Sequence, residues 1–147
     1  MNDINTIAGA VANRITSITG VACNPLNIKE YNPADGSAFY GVQPIGVQRE
    51  KIDRTGTQEN FCLEVVYFAP ESAEPVADVF KNVEEDFLND RYLKIDNIDL
   101  AYFQKAVYAS ETNIFNGGVL EGFYNADELE TSGVVCSACM LYFSSWV

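Results

Sequence analysis

Two long apolar runs constrain the fold of this 147-residue chain more than any other feature. The two runs are FCLEVVYF, residues 61–68, and VVCSACMLYF, residues 134–143. In an extended strand successive side chains point to opposite faces, and in both runs most of the side chains on each face are apolar. Aromatic and β-branched residues favour strands, and a strand that is apolar on both faces is typical of the inside of a sheet. We therefore expect a sheet in which these two strands are central and buried.

An amphipathic helix is predicted at the start of the chain, from Asn2 to Gly20. Its apolar residues recur at spacings of three and four, which places them on one stripe: Ile4, Ile7, Val11, Ile15 and Ile18. Asn2 or Asp3 can cap the N-terminus, and Gly20 supplies the stop. The opposite face is uncharged and is expected to meet solvent or another subunit; it carries Asn5, Asn13, Thr16 and Ser17.

A second helix is predicted after the strand that ends at Ala69-Pro70. Ser72 can cap it, and Pro75 is tolerated in its first turn. The residues expected on its buried stripe are Val76, Val79, Phe80, Val83, Phe87 and Leu88. The outer face is strongly acidic, through Asp78, Glu84, Glu85 and Asp86.

Shorter strands are expected between the turn residues. Leu26, Ile28 and Tyr31 fit one strand, and the stretch from Tyr40 to Val47 fits another, which Pro44 and Gly46 restrict to an edge or bulged strand. YLKIDNI and LAYFQKAVYA read as further strands, whereas residues 110–133 have no clear period and are expected to loop out. The sequence thus predicts one α+β domain, residues 1–147, with a mainly antiparallel sheet and both helices on one face.

Charge and composition exclude several classes of function. Nine basic and twenty-one acidic residues give a net charge of −12, which repels phosphate backbones and anionic lipids. The chain has no histidine, the commonest general base and transition-metal ligand. With no signal peptide or transmembrane run, we expect a soluble cytosolic protein that is not an enzyme and needs no cofactor.

The cysteines allow three interpretations. Cys136 and Cys139 form a C-x-x-C sequence, but in a strand such residues point to opposite faces and cannot bond to each other. A zinc site would need these two together with the isolated Cys23 and Cys62. Small buried thiols are the default expectation in an intracellular core. Paired carboxylates such as Asp96 and Asp99 could serve a hard cation or acid–base chemistry, although close pairs also arise by chance in so acidic a chain.

One segment gathers basic charge. The polar stretch from Gln48 to Asn60 holds Arg49, Lys51 and Arg54, three of the nine basic residues, and reads as a mobile loop or a hairpin arm. We expect this arm to contact an acidic surface of a neighbour, such as Asp78, Glu84 or Glu85 on the second helix of the next subunit. Such a contact would steer assembly more than it stabilises it.

The order of these elements resembles the tail terminator and tail-completion (head-tail joining) proteins of long-tailed bacteriophages. The resemblance is carried by the helix INTIAGAVANRITSI, the polar arm 48–60, the strand FCLEVVYFAP leading into VADVFKNVEEDFL, and the last strand VVCSACMLYFSSWV. It implies a structural virion protein of the tail or neck, assembled in the host cytoplasm. It also implies a ring, with six subunits the expected number, that caps the tail tube, ends its polymerisation and presents the docking surface for the head.

The partners implied are other copies of the chain, the tail tube protein and the head-tail connector protein. DNA would pass through the lumen without specific binding, which suits an acidic chain. Two alternatives remain open from the sequence. One is another connector or minor tail protein; the other is a monomeric α+β module that holds a small ligand in a cavity lined by residues such as Phe61, Tyr67 and Phe143.

Overall fold

In the part of the chain that the structure describes, two helices pack on a six-stranded sheet. The structure is a computed structural model that describes residues 3–21, 23–25, 39–51, 56–70, 80–108 and 134–146. In chain order the elements are α1 Ile4–Thr19, β1 Cys23–Pro25, β2 Phe39–Lys51, β3 Thr57–Pro70, α2 Lys81–Asn89, β4 Tyr92–Ile95, β5 Ile98–Tyr108 and β6 Val134–Trp146. The strand order is β1-β2-β3-β6-β5-β4, and only the short β1 runs parallel to its neighbour. The predicted α+β class is confirmed.

Helix α1 has the ends that its sequence predicts. The Asp3 carboxylate accepts a hydrogen bond from the backbone N–H of Asn5 at 3.1 Å, which caps the first turn. Gly20, at φ 72°, donates its N–H to the Thr16 carbonyl at 2.9 Å, a left-handed end that glycine adopts without strain. The apolar stripe is buried at its centre and half-buried at its two ends, and the uncharged opposite face is exposed, as predicted.

The two apolar runs occupy the middle of the sheet. β3 and β6 pair antiparallel without interruption from Gln58 opposite Trp146 to Pro70 opposite Val134. On the face that meets the helices, Phe61, Leu63 and Phe143 are fully buried, and on the other face Val66 and Ala138 are buried too. Burial on both faces explains why these strands lack the apolar–polar alternation of a half-exposed sheet.

Helix α2 is attached to the sheet through aromatic rings. The ring of Phe87 lies 5.3 Å from that of Phe103 and 5.4 Å from that of Phe143, centroid to centroid, which are favourable aromatic contacts. Phe80 and Val83 are buried as predicted, but the prediction for Leu88 is wrong, because its side chain is 44% exposed. Each residue turns about 100° around a helix, so when Phe87 faces the sheet the next residue turns away from it.

The predicted start of this helix at Ser72, with Pro75, Val76 and Val79, lies outside the described residues. So do the predicted strand through Leu26, Ile28 and Tyr31 and the stretch 110–133. In the part of the chain that the structure describes, no helix is long and apolar enough to cross a membrane.

The stretch Gln48 to Asn60 belongs to a β-hairpin rather than to a loop over its described length. Gln48 pairs with Asn60 and Lys51 with Thr57, so β2 and β3 stay hydrogen-bonded almost to the turn. The predicted bulge is present, with the register shifting between Pro44 and Gly46. Because β1 pairs only as far along β2 as its Val42 partner, no described strand covers the outer edge of β2 beyond that point.

Strands β4 and β5, where the sequence predicts further strands, form a second hairpin, and the predicted strand YLKIDNI is divided by its turn. Its turn residues Asp96 and Asn97 have φ values of 51° and 65°, and two successive positive φ angles are typical of a type I′ turn. Register shifts interrupt the β4–β5 pairing at Leu93/Lys94 and the β5–β6 pairing at Phe103/Lys105. The second shift aligns Lys105 with Tyr142.

Candidate functional site

The described thiols are buried or half-buried structural groups. Desolvation by burial raises the pKa of Cys23 and of Cys139 to about 12 and also raises the pKa of Cys62, so all three are protonated near neutral pH. Cys62 pairs with Tyr142, whereas Cys139 pairs with Val65 on the helix side of the sheet. Two of the four cysteines of the zinc hypothesis therefore lie on opposite faces, and no described group of three or more potential ligands could hold a metal. The side chain of Cys136 lies outside the described part.

The carboxylate pair Asp96 and Asp99 lies in and beside the β4–β5 turn. Both residues are exposed, and Asp99 forms a long ion pair of 3.8 Å with Lys94, which is itself half-exposed. Both carboxylates lie at an exposed hairpin tip rather than in the concave, largely apolar kind of pocket that is typical of active sites. The turn conformation accounts for Asp96, since aspartate and asparagine adopt positive φ more readily than most residues.

The arm brings two of its three predicted basic residues to the end of the first hairpin. Lys51 is exposed at the last position of β2, and Arg54 lies outside the described residues. Arg49 is not simply a surface cation: its Nε lies 3.6 Å from Oε1 of Glu59, which is directly opposite on β3 and only 1% exposed. Arg49 is therefore the counter-ion of a buried carboxylate, and replacing it affects the hairpin itself.

The predicted acidic residues of α2 have different surroundings. Glu84 is half-buried and accepts a hydrogen bond from the Tyr108 hydroxyl on β5. Glu85 is exposed, as is Asp90 just after the helix. Asp78 lies outside the described residues. The structure thus gives Arg49 and Glu84 partners on separate elements of the same chain, and Glu85 and Lys51 are the predicted contact residues with the most accessible charge.

Arg14 joins α1 to the end of α2 and the start of β4, a role that sequence reasoning missed. Its guanidinium donates to the Asp86 carboxylate at 2.8 Å and to three backbone carbonyls: Asp86 at 2.9 Å, Asp90 at 2.5 Å and Tyr92 at 3.2 Å. Its Cζ also lies 4.1 Å from the centroid of the Phe87 ring. A signal was available, because Arg14 lies three residues after Val11 and therefore falls on the apolar stripe of α1, where a charge needs a partner.

We call these contacts of Arg14 the Arg14 clamp. An open groove of about 510 Å³ runs beside it, between α1 and β4. Its α1 wall consists of Ala10, Asn13, Arg14 and Ser17. The Arg14 donors are already directed to protein oxygens, and the Ser17 hydroxyl donates to the Asn13 carbonyl at 3.1 Å. The Arg14 guanidinium and the Ser17 hydroxyl of this wall thus serve the fold.

A cluster of tyrosines and cations lies on the sheet face opposite the helices. We call it the cationic tyrosine face, and it consists of Arg91, Tyr92, Lys94, Tyr102, Lys105 and Tyr142. The Tyr92 and Tyr102 rings meet edge to face with centroids 5.3 Å apart. The Lys105 ammonium lies 5.0 Å from the Tyr142 centroid, and the Arg91 guanidinium lies 5.8 Å from that of Tyr102. Sequence reasoning missed this face because its residues come from three strands.

The chain was also compared with known proteins. No protein-family model matches it, and no curated protein sequence matches it. The interpretation of these surfaces therefore rests on their geometry, exposure and charge.

Proposed function

We propose that this chain is a structural protein that forms a ring at the end of a phage tail tube, ends its polymerisation and offers a docking surface to the head. The observation that carries the proposal is the separation of opposite charges onto exposed surfaces of different elements. Exposed cations lie on the strands, at Lys51, Lys94 and Lys105, and the exposed carboxylate Glu85 lies on α2. A chain that carries complementary surfaces in different places can associate head to tail, and such contacts close into a ring when the rotation permits.

The outer edge of β2 supports the same proposal. Beyond Val42 this edge pairs with no strand among the described residues, and it is a candidate position for a strand of another chain. Proteins that remain monomeric usually cover, shorten or twist such an edge. Pro44 and the bulge beside it limit uncontrolled pairing, which suits an edge that binds a specific partner.

Native mass measured by light scattering across a dilution series, with and without the tail tube protein, tests the proposal. Six copies of the 16.2 kDa chain would have a mass of about 97 kDa. A ring mass in either condition would support the function. A single-chain mass at every concentration, unchanged by the tube protein, would overturn it and favour the monomeric binding module.

The arm requires a careful choice of variant. Arg49→Glu would place a second carboxylate beside the buried Glu59, so loss of assembly would not separate binding from folding. Lys51→Glu is the sharper probe because Lys51 is exposed, and Lys51→Gln is its matched control. If the arm contacts an acidic surface, the glutamate variant should slow association more than the glutamine variant does, most clearly at low salt.

A further inference from the structure

The cationic tyrosine face and helix α2 lie on opposite sides of the sheet. In β6, Phe143 points to the helices and touches Phe87, so its neighbours Tyr142 and Ser144 point away from them. Ser144 pairs with Tyr102, and Tyr142 pairs with Lys105, which places the tyrosines and Lys105 on the side away from α2. A contact between this face and α2 of another copy would therefore join the back of one subunit to the front of the next.

The two surfaces have opposite charge. The cationic tyrosine face carries three of the nine basic residues of a chain whose net charge is −12. Its cations lie over tyrosine rings, and of the three only Lys94 has a carboxylate partner among the ion pairs of the described residues. The outer side of α2 presents Glu85, with the exposed Lys81 one turn before it. The exposed Asp90 follows the helix, and its carboxylate accepts a hydrogen bond from the backbone N–H of Tyr92 at 3.3 Å.

The surfaces also match in their apolar content. Leu88 is 44% exposed on α2, one turn after Glu84 and Glu85, where a solvated helix would normally carry a polar residue. Tyr92 is 50% exposed on the opposite side of the molecule. Tyrosine and arginine are the residues that most often anchor protein interfaces, and tyrosine rings can cover a leucine while their hydroxyls and nearby cations meet carboxylates.

We infer that the cationic tyrosine face of one copy receives helix α2 of the next copy, with Leu88 against the tyrosine rings and Glu85 beside Lys105. This inference rests on the proposed ring and names its repeating contact. Because the two surfaces lie on opposite sides of one subunit, the contact is heterologous and repeats from copy to copy. In this arrangement Glu85 of α2 contacts the cationic tyrosine face, and the basic arm is left to bind a different partner, such as the tail tube.

A charge exchange tests the pairing. Glu85→Lys and Lys105→Glu each place like charges in every contact, so each variant alone should need at least about tenfold more protein to assemble. When the two variants are mixed in equal amounts, every contact between unlike copies again joins opposite charges. The mixture should therefore assemble near the wild-type concentration, and so should the double variant Glu85→Lys/Lys105→Glu. Gln104→Glu adds a negative charge at the exposed neighbour of Lys105 without removing the lysine, and as the positional control it should weaken assembly less than Lys105→Glu does.

The outcomes separate the inference from the proposed function. Loss of assembly in each single variant with recovery in the mixture would establish the pairing, provided that melting temperatures show both variants folded. The inference would be overturned, with the ring itself retained, by either of two results. In one, both single variants form the ring as well as the wild type does; in the other, they fail to assemble and the mixture does not restore assembly. A wild-type protein that stays monomeric, even with the tube protein, would overturn both.

Discussion

Arg14→Ala is the substitution with the most clearly defined structural cost. The change removes four hydrogen bonds from a side chain that is only 16% exposed and also uncovers the Phe87 ring. Hydrogen bonds from charged groups are worth about 1.5–3 kcal/mol each, but they share one guanidinium and are not additive. Asp86 is 45% exposed, so its ion pair contributes little, and water can reach part of the end of α2. We expect a loss of about 3 kcal/mol in the free energy of unfolding.

In urea denaturation this loss appears as a lower urea concentration at the midpoint of unfolding, with the dependence of the unfolding free energy on urea unchanged. A loss of this size should lower the melting temperature by roughly 6–12 °C in a chain of this length. Arg14→Lys keeps the charge but not the planar fork, and should lose about half as much. Asp86→Asn is the matched control: it weakens only the exposed ion pair, leaves the three carbonyl acceptors in place, and should cost about 1 kcal/mol or less. The clamp would be refuted by an alanine variant within about 0.5 kcal/mol of wild type, or by an asparagine variant that costs as much.

Three further predictions concern the core, a turn and alkaline pH. Phe143→Ala removes a fully buried ring that touches Phe87 and Phe103, and should lower the free energy of unfolding in urea by about 3–5 kcal/mol; a loss below 1 kcal/mol would contradict this packing. Asn97→Ala should cost about 1 kcal/mol because Asn97 has a φ of 65°, whereas Asn97→Gly should be nearly neutral; equal melting temperatures for the two variants would argue against the turn. Burial raises the pKa of Cys23 and Cys139 to about 12, whereas an unfolded thiol titrates near 8.5, so the unfolded chain releases protons first as pH rises. The free energy of unfolding should therefore be unchanged below about pH 8.5 and should decrease between about pH 8.5 and pH 12, by about 1.4 kcal/mol per pH unit for each thiol. Cys139→Ala should make this decrease less steep, and an unchanged slope would contradict the burial of that thiol.

Much of the fold is predictable because burial leaves a local pattern in the sequence. The alternation through Phe61 and Leu63 predicts a central strand, and the spacing of Ile7, Val11 and Ile15 predicts the buried stripe of α1. Leu88 was mispredicted because apolar character alone does not distinguish a core residue from an exposed interface candidate. Periodicity is therefore a better guide to which helices and strands form than to the role of their exposed surfaces.

The candidate surfaces depend on the register between paired strands. Residues that are neighbours in the sequence do not indicate that register. Gln104 and Lys105 are adjacent polar residues, and only the shift in β5–β6 pairing aligns Lys105 with Tyr142. Likewise, the partnership of Arg49 with Glu59 follows from the pairing across the hairpin, so charge counting could find the basic arm without finding that one of its cations neutralises a buried acid. Long-range pairing must be known before such residues can be separated into structural and accessible groups.

The Arg14 clamp links the stability of the fold to the proposed assembly. Arg14 binds the carbonyls of Asp86 and Asp90 at the end of α2 and that of Tyr92 at the start of β4, and Tyr92 itself belongs to the cationic tyrosine face. One side chain thus holds both proposed association surfaces in a fixed relation. In a heterologous ring, the angle between the two surfaces of a subunit determines how many copies close the ring. Arg14→Lys should therefore broaden the distribution of ring sizes under conditions where the subunit remains folded, as measured by native mass spectrometry. A single ring size identical to that of the wild type would show that this angle is set elsewhere in the subunit.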